Sequence, residues 1–309
     1  MAQPTETPAH PTMRVLAPAK INLHLRVGPP TADGFHPLLS WMATVGLFDT
    51  LEFAPVAHAG ITLRCDDPAI PVDASNLVTR CASALLDVYA SSSPSHRTVT
   101  GITAALQKRI PVGAGLGGGS SDGAFTLRAL NRLLGLDWPA SRLSEVAARF
   151  GSDLSFFLFG PSSVCTGRGE IVRPIPPPRQ RAAVLVLPGI HMATPGVYRK
   201  FDEMKLGESR VLVDEPDWSH WTALDAEQLL PRLINDLEAP AFALRADLAH
   251  LRDRAAQSLG RPVLMSGSGS SLFTLYDDKA EAVEAARRLH AVLGVRVEPV
   301  DLCPSTPDV

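Results

Sequence analysis

The chain has 309 residues, 45% hydrophobic and 20% charged, with a formal net charge of −3. That length is enough for two domains with proper cores, and without a basic surplus a nucleic-acid partner is excluded. Four scattered cysteines (Cys65, Cys81, Cys165, Cys303) with no C-x-x-C read as reduced packing residues of a cytoplasmic protein, and no apolar run is long enough for a membrane span.

Residues 1–12 carry three prolines and no apolar core, so they are expected to be disordered and not a signal peptide. Arg14 to Val27 predicts an opening strand. Ile21, Leu23, Leu25 and Val27 alternate there with Lys20, Asn22, His24 and Arg26. Such a polar side is usually solvent-facing, but Pro18 marks where the strand enters from a loop, which makes Lys20 and Asn22 candidates for lining a site. Asp33-Gly34 is a turn signal, followed by Phe35 and His36. An exposed Phe-His pair can stack on a planar base and bond its edge, or simply pack as a hairpin tip. Leu38 to Phe53 predicts one or two further strands. Asn76 reads as the cap of a helix running to about Val88, and Ile102 to Ile110 as a strand.

That strand leads into Pro111-Val112-Gly113-Ala114-Gly115-Leu116-Gly117-Gly118-Gly119-Ser120-Ser121, with five glycines in seven positions. Ser120, Ser121 and Asp122 are all N-cap types, and Phe125, Leu127, Leu130, Leu133 and Leu134 recur behind them at helical spacing. Free backbone N–H groups and the positive end of a helix dipole thus converge on one point, which suits an anion, above all phosphate. A Walker A loop is excluded, because none of the five lysines follows Gly or precedes Ser or Thr. The dinucleotide pattern G-x-G-x-x-G is present at Gly113, Gly115 and Gly118, but the acidic residue at the right distance, Asp137, sits between helical stretches instead of at a strand end. A flexible glycine linker would not stand between a strand and a strongly amphipathic helix.

That helix ends near Gly135 and another runs from Ser141 to Phe150. Asp153, in Gly151-Ser152-Asp153-Leu154, is either a cap for the apolar turn behind it or the carboxylate that phosphoryl transfer requires near a phosphate loop. Cys165 to Glu170 is a hairpin turn, and the proline-rich Arg173 to Arg179 a stiff linker. Ala182 to Leu187 reads as a buried strand and Met192 to Tyr198 as a loop opening a helix. Residues 207–222 show no clear period. A helical stretch from Asn235, a helix over Leu244 to Leu259, a glycine-serine loop from Met265 into a strand ending at Tyr276, a helix over Ala280 to Leu293 and a strand over Val295 to Val300 complete the chain. The nine histidines form no zinc signature.

Pro18 to Leu23, Pro111 to Ala124 and Met265 to Gly269 together resemble the three motifs of the GHMP small-molecule kinases. Lys20-Ile21-Asn22, Asp33 to His36, Gly115 to Ser121, Gly151 to Phe157, Gly167 to Glu170, Asn235 to Glu238 and Ser266 to Gly269 are most similar to the branch acting on the cytidine diphosphate ester of methylerythritol. The likeness spans about Arg14 to Val300. It implies an α+β two-domain GHMP kinase fold, with an ATP-binding domain over 13–172 resembling the second domain of ribosomal protein S5. A ferredoxin-like C-terminal substrate-binding domain over 173–309 would follow, with the site between the two. ATP would be co-substrate with Mg²⁺, the acceptor would be the ester's 2-hydroxyl, and the product would belong to the non-mevalonate route to isoprenoids.

Carried onto this chain, the resemblance wraps the ATP phosphates in Pro111 to Ser121 and puts Asn76 near the adenosine. Asp153 would take the hydroxyl proton, with Lys20 beside it. Asn22 and Thr194 would hold the methylerythritol end. Phe35 and Tyr198 would sandwich the cytosine and His36 would bond its edge, while Ser266, Gly267, Ser268 and Gly269 would support the phosphates from the other side. Two residues depart from the family pattern: Phe35 stands where tyrosine is usual, and Ser155 where proline is. No second carboxylate for Mg²⁺ is evident, so the metal is expected to ride on the nucleotide and not on a dedicated protein site. A kinase of homoserine or of a mevalonate derivative is the alternative within the family. Outside it stand a nucleotide-binding protein without catalysis and a dinucleotide oxidoreductase. A monomer or weak homodimer is expected.

Overall fold

The structure, a computed structural model, describes residues 12–92, 101–179 and 182–305. Except for Thr12, the expectation for residues 1–12 therefore lies outside the described residues. Strands β1 (Met13–Val27) and β2 (Leu38–Val56) form a long antiparallel pair. The short β3 (Gly60–Cys65) is followed by α1 (Leu77–Ser92) and by β4 (Gly101–Gln107), which pairs with β3 in parallel. Helices α2 (Gly118–Leu133), α3 (Ala140–Ala147) and α4 (Ser152–Phe159) come next, then the hairpin β5 (Ser162–Thr166) and β6 (Ile171–Pro174). The first sheet has the order β3-β4-β2-β5-β6, with β1 paired to β2. Besides β1, β2 serves two further partners because of its length: residues 50–56 face β4 and residues 40–43 face β5.

The second sheet is antiparallel, in the order β10-β7-β9-β8. Its elements follow β7 (Ala182–Leu187) as α5 (Thr194–Glu203), α6 (Trp218–Ala223), α7 (Ala226–Leu229), α8 (Glu238–Leu244), α9 (Ala246–Leu259), β8 (Leu264–Met265), β9 (Leu272–Tyr276), α10 (Lys279–Leu293) and β10 (Arg296–Asp301). The α+β character that the resemblance implies is thus present as two sheets with helices packed on each.

Three apolar clusters hold these layers together. Phe53, Leu85, Phe125, Leu154 and Phe156 pack the helices α1 to α4 onto the first sheet. Phe201, Leu248, Leu289 and the even-numbered residues of β7 pack helices onto the second. The odd-numbered residues of β7 (Ala183, Leu185, Leu187) turn the other way, into a cluster with Ile21, Trp41 and Val164 that lies between the sheets. β7 is covered on both faces, which is why it reads as an unbroken apolar run instead of an alternating one.

Two expectations need correction, and the stretch without a clear period takes shape. The strict alternation of β1 is broken by a bulge between Asn22 and His24. The extra residue reverses the parity of the rest of the strand, so Leu25, not His24, continues the face bearing Lys20 and Asn22. His24 points instead at Trp218 and Trp221, with ring centroids 6.0 and 5.3 Å away. Helix α2 begins at Gly118 with Gly117 as its cap, so Ser120, Ser121 and Asp122 are not caps but lie in its first turns. The glycines themselves wind the first turn. The unplaced stretch 207–222 contains a 3-10 turn (Ser209–Leu212) and the start of α6, capped by Asp217, whose Trp218 is buried against Trp41.

Candidate active site

The bulged β1 supplies the floor of a cleft of about 600 Å³. Lys20 is 4% exposed, and its ammonium is held by Asn22 Oδ1 at 2.6 Å and Asp153 Oδ2 at 3.4 Å. A buried lysine needs such partners, since an unpaired ammonium away from water is very costly. Asn22 Nδ2 donates to Ser40 Oγ (2.8 Å), which donates to the carbonyl of His24 (3.0 Å), so the amide cannot rotate away from Lys20. Asp153 is in the first turn of α4, at the positive end of that helix.

The glycine loop arches over this floor. The Lys20 amide donates to Leu116 O at 2.9 Å, pinning the loop to β1. Gly113, Gly115 and Gly117 all have positive φ (64°, 77° and 68°). At Gly115 the requirement is twofold, because a Cβ would overlap the Ser266 carbonyl oxygen. The third motif closes on the loop there: Ser266 Oγ donates to Gly115 O (2.9 Å) and accepts from the Asn22 amide (3.2 Å), and the Ser271 amide donates to Ala114 O (3.0 Å). Asn235 shapes that motif from below, donating to the carbonyls of Met265 and Gly267, both at 2.8 Å. Glu238 accepts from the Met265 amide at 2.6 Å, and burial raises its carboxyl above the usual range.

Most residues singled out in the sequence meet in this cleft. Lys20, Asn22, Asn76, Pro111 to Gly115, Gly117 to Ser120, Asp153, Thr194, Tyr198, Gly267 and Ser268 line it. Asn76 does so while capping α1, its Oδ1 accepting from the Val78 amide at 2.9 Å. Thr194 Oγ1 and Ser268 Oγ share a hydrogen bond of 2.8 Å. Burial, with the Asp153 carboxylate adding to it, pushes the Tyr198 phenol up to about 12, so it remains neutral. Leu116, Ser121, Ser266 and Gly269 are not on the lining: Leu116 and Ser121 are buried, and Ser266 and Gly269 serve as support behind it.

Phe35 and His36 also lie off the lining. Phe35 is 53% exposed, and no ring contact joins it to Tyr198 among the described residues; Tyr198 packs on His36, with centroids 5.2 Å apart. Both His36 nitrogens are engaged. Nδ1 is 2.9 Å from Gly28 O, an acceptor that requires the proton there, and Nε2 is 3.3 Å from Asp202 Oδ1.

A second charged cluster under the loop was missed in the sequence. Lys108 bonds Asp49 and, at 2.8 Å, Asp122 Oδ2; its side chain is 7% exposed and the two carboxylates are almost fully buried. Asp49 Oδ1 also accepts from the amides of Arg109 (2.6 Å) and Ile110 (3.0 Å), which sets the direction in which the chain enters the glycine loop. Burial pushes the Asp122 carboxyl up to about 7, with Lys108 pulling against it and Asp49 adding to it. A signal was available: Lys108 is in phase with Ile102, Ala104 and Leu106, whose side chains are core. A lysine in phase with a buried apolar row has to find carboxylates.

The comparisons with known proteins agree with this geometry. Residues 76–161 match the model of the GHMP kinases N terminal domain and residues 222–294 that of the GHMP kinases C terminal region. A relative from a Synechococcus species, named 4-diphosphocytidyl-2-C-methyl-D-erythritol kinase, is 38% identical over 90% of this chain and 92% of its own. One of the same name from a Nocardioides species is 38% identical over 94% and 96%. The crystal structure of a 4-(cytidine 5'-diphospho)-2C-methyl-D-erythritol kinase superposes with a TM-score of 0.75 at 35% identity, covering 95% of this chain and all of the other. Homoserine kinase from Cytophaga hutchinsonii shares the fold, with a TM-score of 0.71 at 17% identity. The chain belongs to the GHMP kinases, among the 4-diphosphocytidyl-2-C-methyl-D-erythritol kinases.

Proposed function

We propose that this protein transfers the γ-phosphoryl group of ATP to the 2-hydroxyl of 4-diphosphocytidyl-2-C-methyl-D-erythritol, a step of non-mevalonate isoprenoid biosynthesis. The observation that carries the mechanism is the convergence of Lys20, Asp153 and the glycine arc on one cleft. The phosphates lie against the amides of residues 113–119 and the first turn of α2, where backbone donors and the helix end neutralise charge on the moving group without reorganising. Ile70, Pro71, Asn76 and Leu77 at the far end of the cleft accept the adenosine.

Phosphoryl transfer leaves little covalent chemistry to the protein, so positioning dominates. Asp153 orients the acceptor hydroxyl and takes its proton late, after the bond to phosphorus has begun to form. Lys20 stands between that carboxylate and the transferring group, and its contact with Asn22 fixes the angle from which it acts. Thr194 and Ser268, hydrogen-bonded to each other on the cleft wall, flank the alcohol.

The residues present fit a magnesium ion carried mainly by the nucleotide. Among the described residues no group of three or more His, Cys, Asp or Glu forms a metal site. Asp122 lines the cleft with Oδ1 buried and without a hydrogen-bond partner, a hard oxygen donor of the type magnesium takes alongside phosphate oxygens and water. Carried there on the nucleotide, the ion would neutralise phosphate charge.

The decisive experiment is ATP turnover against a small panel of alcohols: the cytidine diphosphate ester of methylerythritol, homoserine and mevalonate derivatives. Transfer to the ester alone is expected. Transfer to another alcohol in preference to the ester would overturn the substrate assignment.

A further inference from the structure

The hairpin tip at residues 167–170 lines the cleft through Arg168, a residue the reaction described above does not use. Three cations line the cleft among the described residues: Lys20, Lys108 and Arg168. Two are already committed, since the side chains of Lys20 and Lys108 are 5% and 7% exposed and locked to buried or half-buried carboxylates. Arg168 is different. Its side chain is 47% exposed, and its one carboxylate partner, Asp33, is 52% exposed on the opposite loop.

The tip also spans the two ends of the proposed acceptor site. Gly169 is so close to α4 that a Cβ there would lie 3.2 Å from Ser152 Cβ and 4.0 Å from Asp153 Oδ1. One residue earlier, the Arg168 guanidinium lies 3.9 Å from the centroid of the Phe35 ring. The tip is braced from both sides: the Arg168 amide donates to Glu170 Oε2 (2.6 Å), and the Leu38 amide donates to Gly167 O (2.8 Å). Arg168 therefore bridges the wall between the catalytic carboxylate and the aromatic loop.

On the reading given above, the acceptor is an alcohol joined to a base through a diphosphate, and we infer that Arg168 is the specificity residue that holds that diphosphate. Two phosphates laid between Asp153 and the 33–36 loop would otherwise meet the carboxylates of Asp153 and Asp33 with Lys20, already bonded to Asn22 and Asp153, as the one cation beside them. A guanidinium matches phosphate oxygens two at a time, and an exposed pair such as Asp33–Arg168 holds weakly enough to be exchanged for them. The same side chain covers one face of Phe35, so a base can stack only on the other.

The test is calorimetric binding of CDP and of cytidine, with the ATP site filled by a non-hydrolysable ATP analogue, to the wild type and to Arg168→Ala, Arg168→Lys and Asp33→Asn. Arg168→Ala is expected to weaken CDP by about tenfold or more and cytidine by less than about twofold, as the loss of a charge-assisted contact to phosphate alone predicts. Arg168→Lys should recover part of the loss, and Asp33→Asn, which removes the competing carboxylate but keeps the turn-forming oxygen, should tighten CDP. The KM for the ester should follow CDP while the KM for ATP is unchanged. Equal loss of CDP and cytidine would reduce Arg168 to a prop for Phe35, and no loss of either would remove it from the site; both overturn the proposal. A wild-type enzyme that binds CDP but does not phosphorylate the ester would refute the substrate reading alone, because the binding arms do not require turnover.

Discussion

Gly115→Ala tests the clasp between the glycine loop and the third motif. The new Cβ would overlap the Ser266 carbonyl oxygen and lie 3.1 Å from Gly269 O, both backbone atoms of a loop tied down by Asn235. Alanine at φ 77° costs about 1–2 kcal/mol by itself. To clear the overlap the two loops must separate, which breaks the bonds from Ser266 Oγ to Gly115 O and from the Asn22 amide to Ser266 Oγ, each worth about 1 kcal/mol. The sum is about 3–4 kcal/mol, a fall in Tm of roughly 5–6 °C for a chain of this size. Gly119→Ala is the control. Its nearest neighbour would be Leu77 Cδ1 at 3.8 Å and its φ is not positive, so the helix should keep its stability or gain about 0.5–1 kcal/mol. The assay is thermal unfolding with and without ATP. A Gly115→Ala protein that melts with the wild type and retains the full ATP-induced shift would refute the clasp.

Asp153→Asn should keep the ATP-induced rise in Tm, because the amide can still accept from Lys20, and lose turnover by about 10²–10⁴-fold; near-normal single-turnover rates would remove Asp153 from the mechanism. Phe35→Ala combined with Tyr198→Ala should raise the KM for the cytidine ester by about tenfold or more, the worth of base stacking, with the KM for ATP unchanged; equal rises in both would deny a base-stacking role to these rings. Burial, with Arg26 adding to it, holds the His24 imidazole down at about 3, while Nδ1 accepts from the Ile234 amide at 3.2 Å. The unfolded chain therefore takes up the proton first. The stability due to neutral His24 is complete above pH 6.5 and is lost as pH falls toward 3, by up to about 1.4 kcal/mol per unit. Urea midpoints between pH 7.5 and 5 should show that slope in the wild type and a shallower one in His24→Gln; parallel slopes would show that His24 is not the group responsible.

The parts of the molecule that were legible in the sequence are those where one local rule operates without competition. The glycine arc, the apolar period of α2 and α10 and the continuous run of β7 each announce themselves. β3 did not, since an edge strand buries only Leu63 and has too little alternation to detect. The cap of α2 was misread because Ser120, Ser121 and Asp122 have the chemistry of caps but are spent elsewhere, two of them buried at the loop. The parity of β1 was misread because a bulge is decided by the partner strand, here the pairing of His24 with Trp41. Lys108, Asp49 and Asp122 are far apart in sequence and meet only once the fold is made, so no window on the chain contains their relation.

The alternation of β1 ahead of that bulge also governs how the cleft can move. Ala19, Ile21 and Leu23 of β1 are buried in the cluster shared by both sheets, whereas Lys20 and Asn22 on the same strand form the cleft floor. Rotating one sheet against the other would expose Trp41, Leu185 and Phe273, which are all fully buried between them. Exposing three such side chains costs about 1.5–3 kcal/mol apiece, more than an exposed contact at the cleft mouth could return. The floor and the glycine arc therefore behave as one rigid body. Opening for the acceptor falls to the segments that carry few buried contacts, residues 29–36 and 167–170, which are joined at the mouth by the Asp33–Arg168 pair and by Arg168 on Phe35. On the reading proposed above, closing the mouth over the acceptor accordingly exchanges one anion on Arg168 for another, the Asp33 carboxylate of the facing loop for the phosphates of the acceptor.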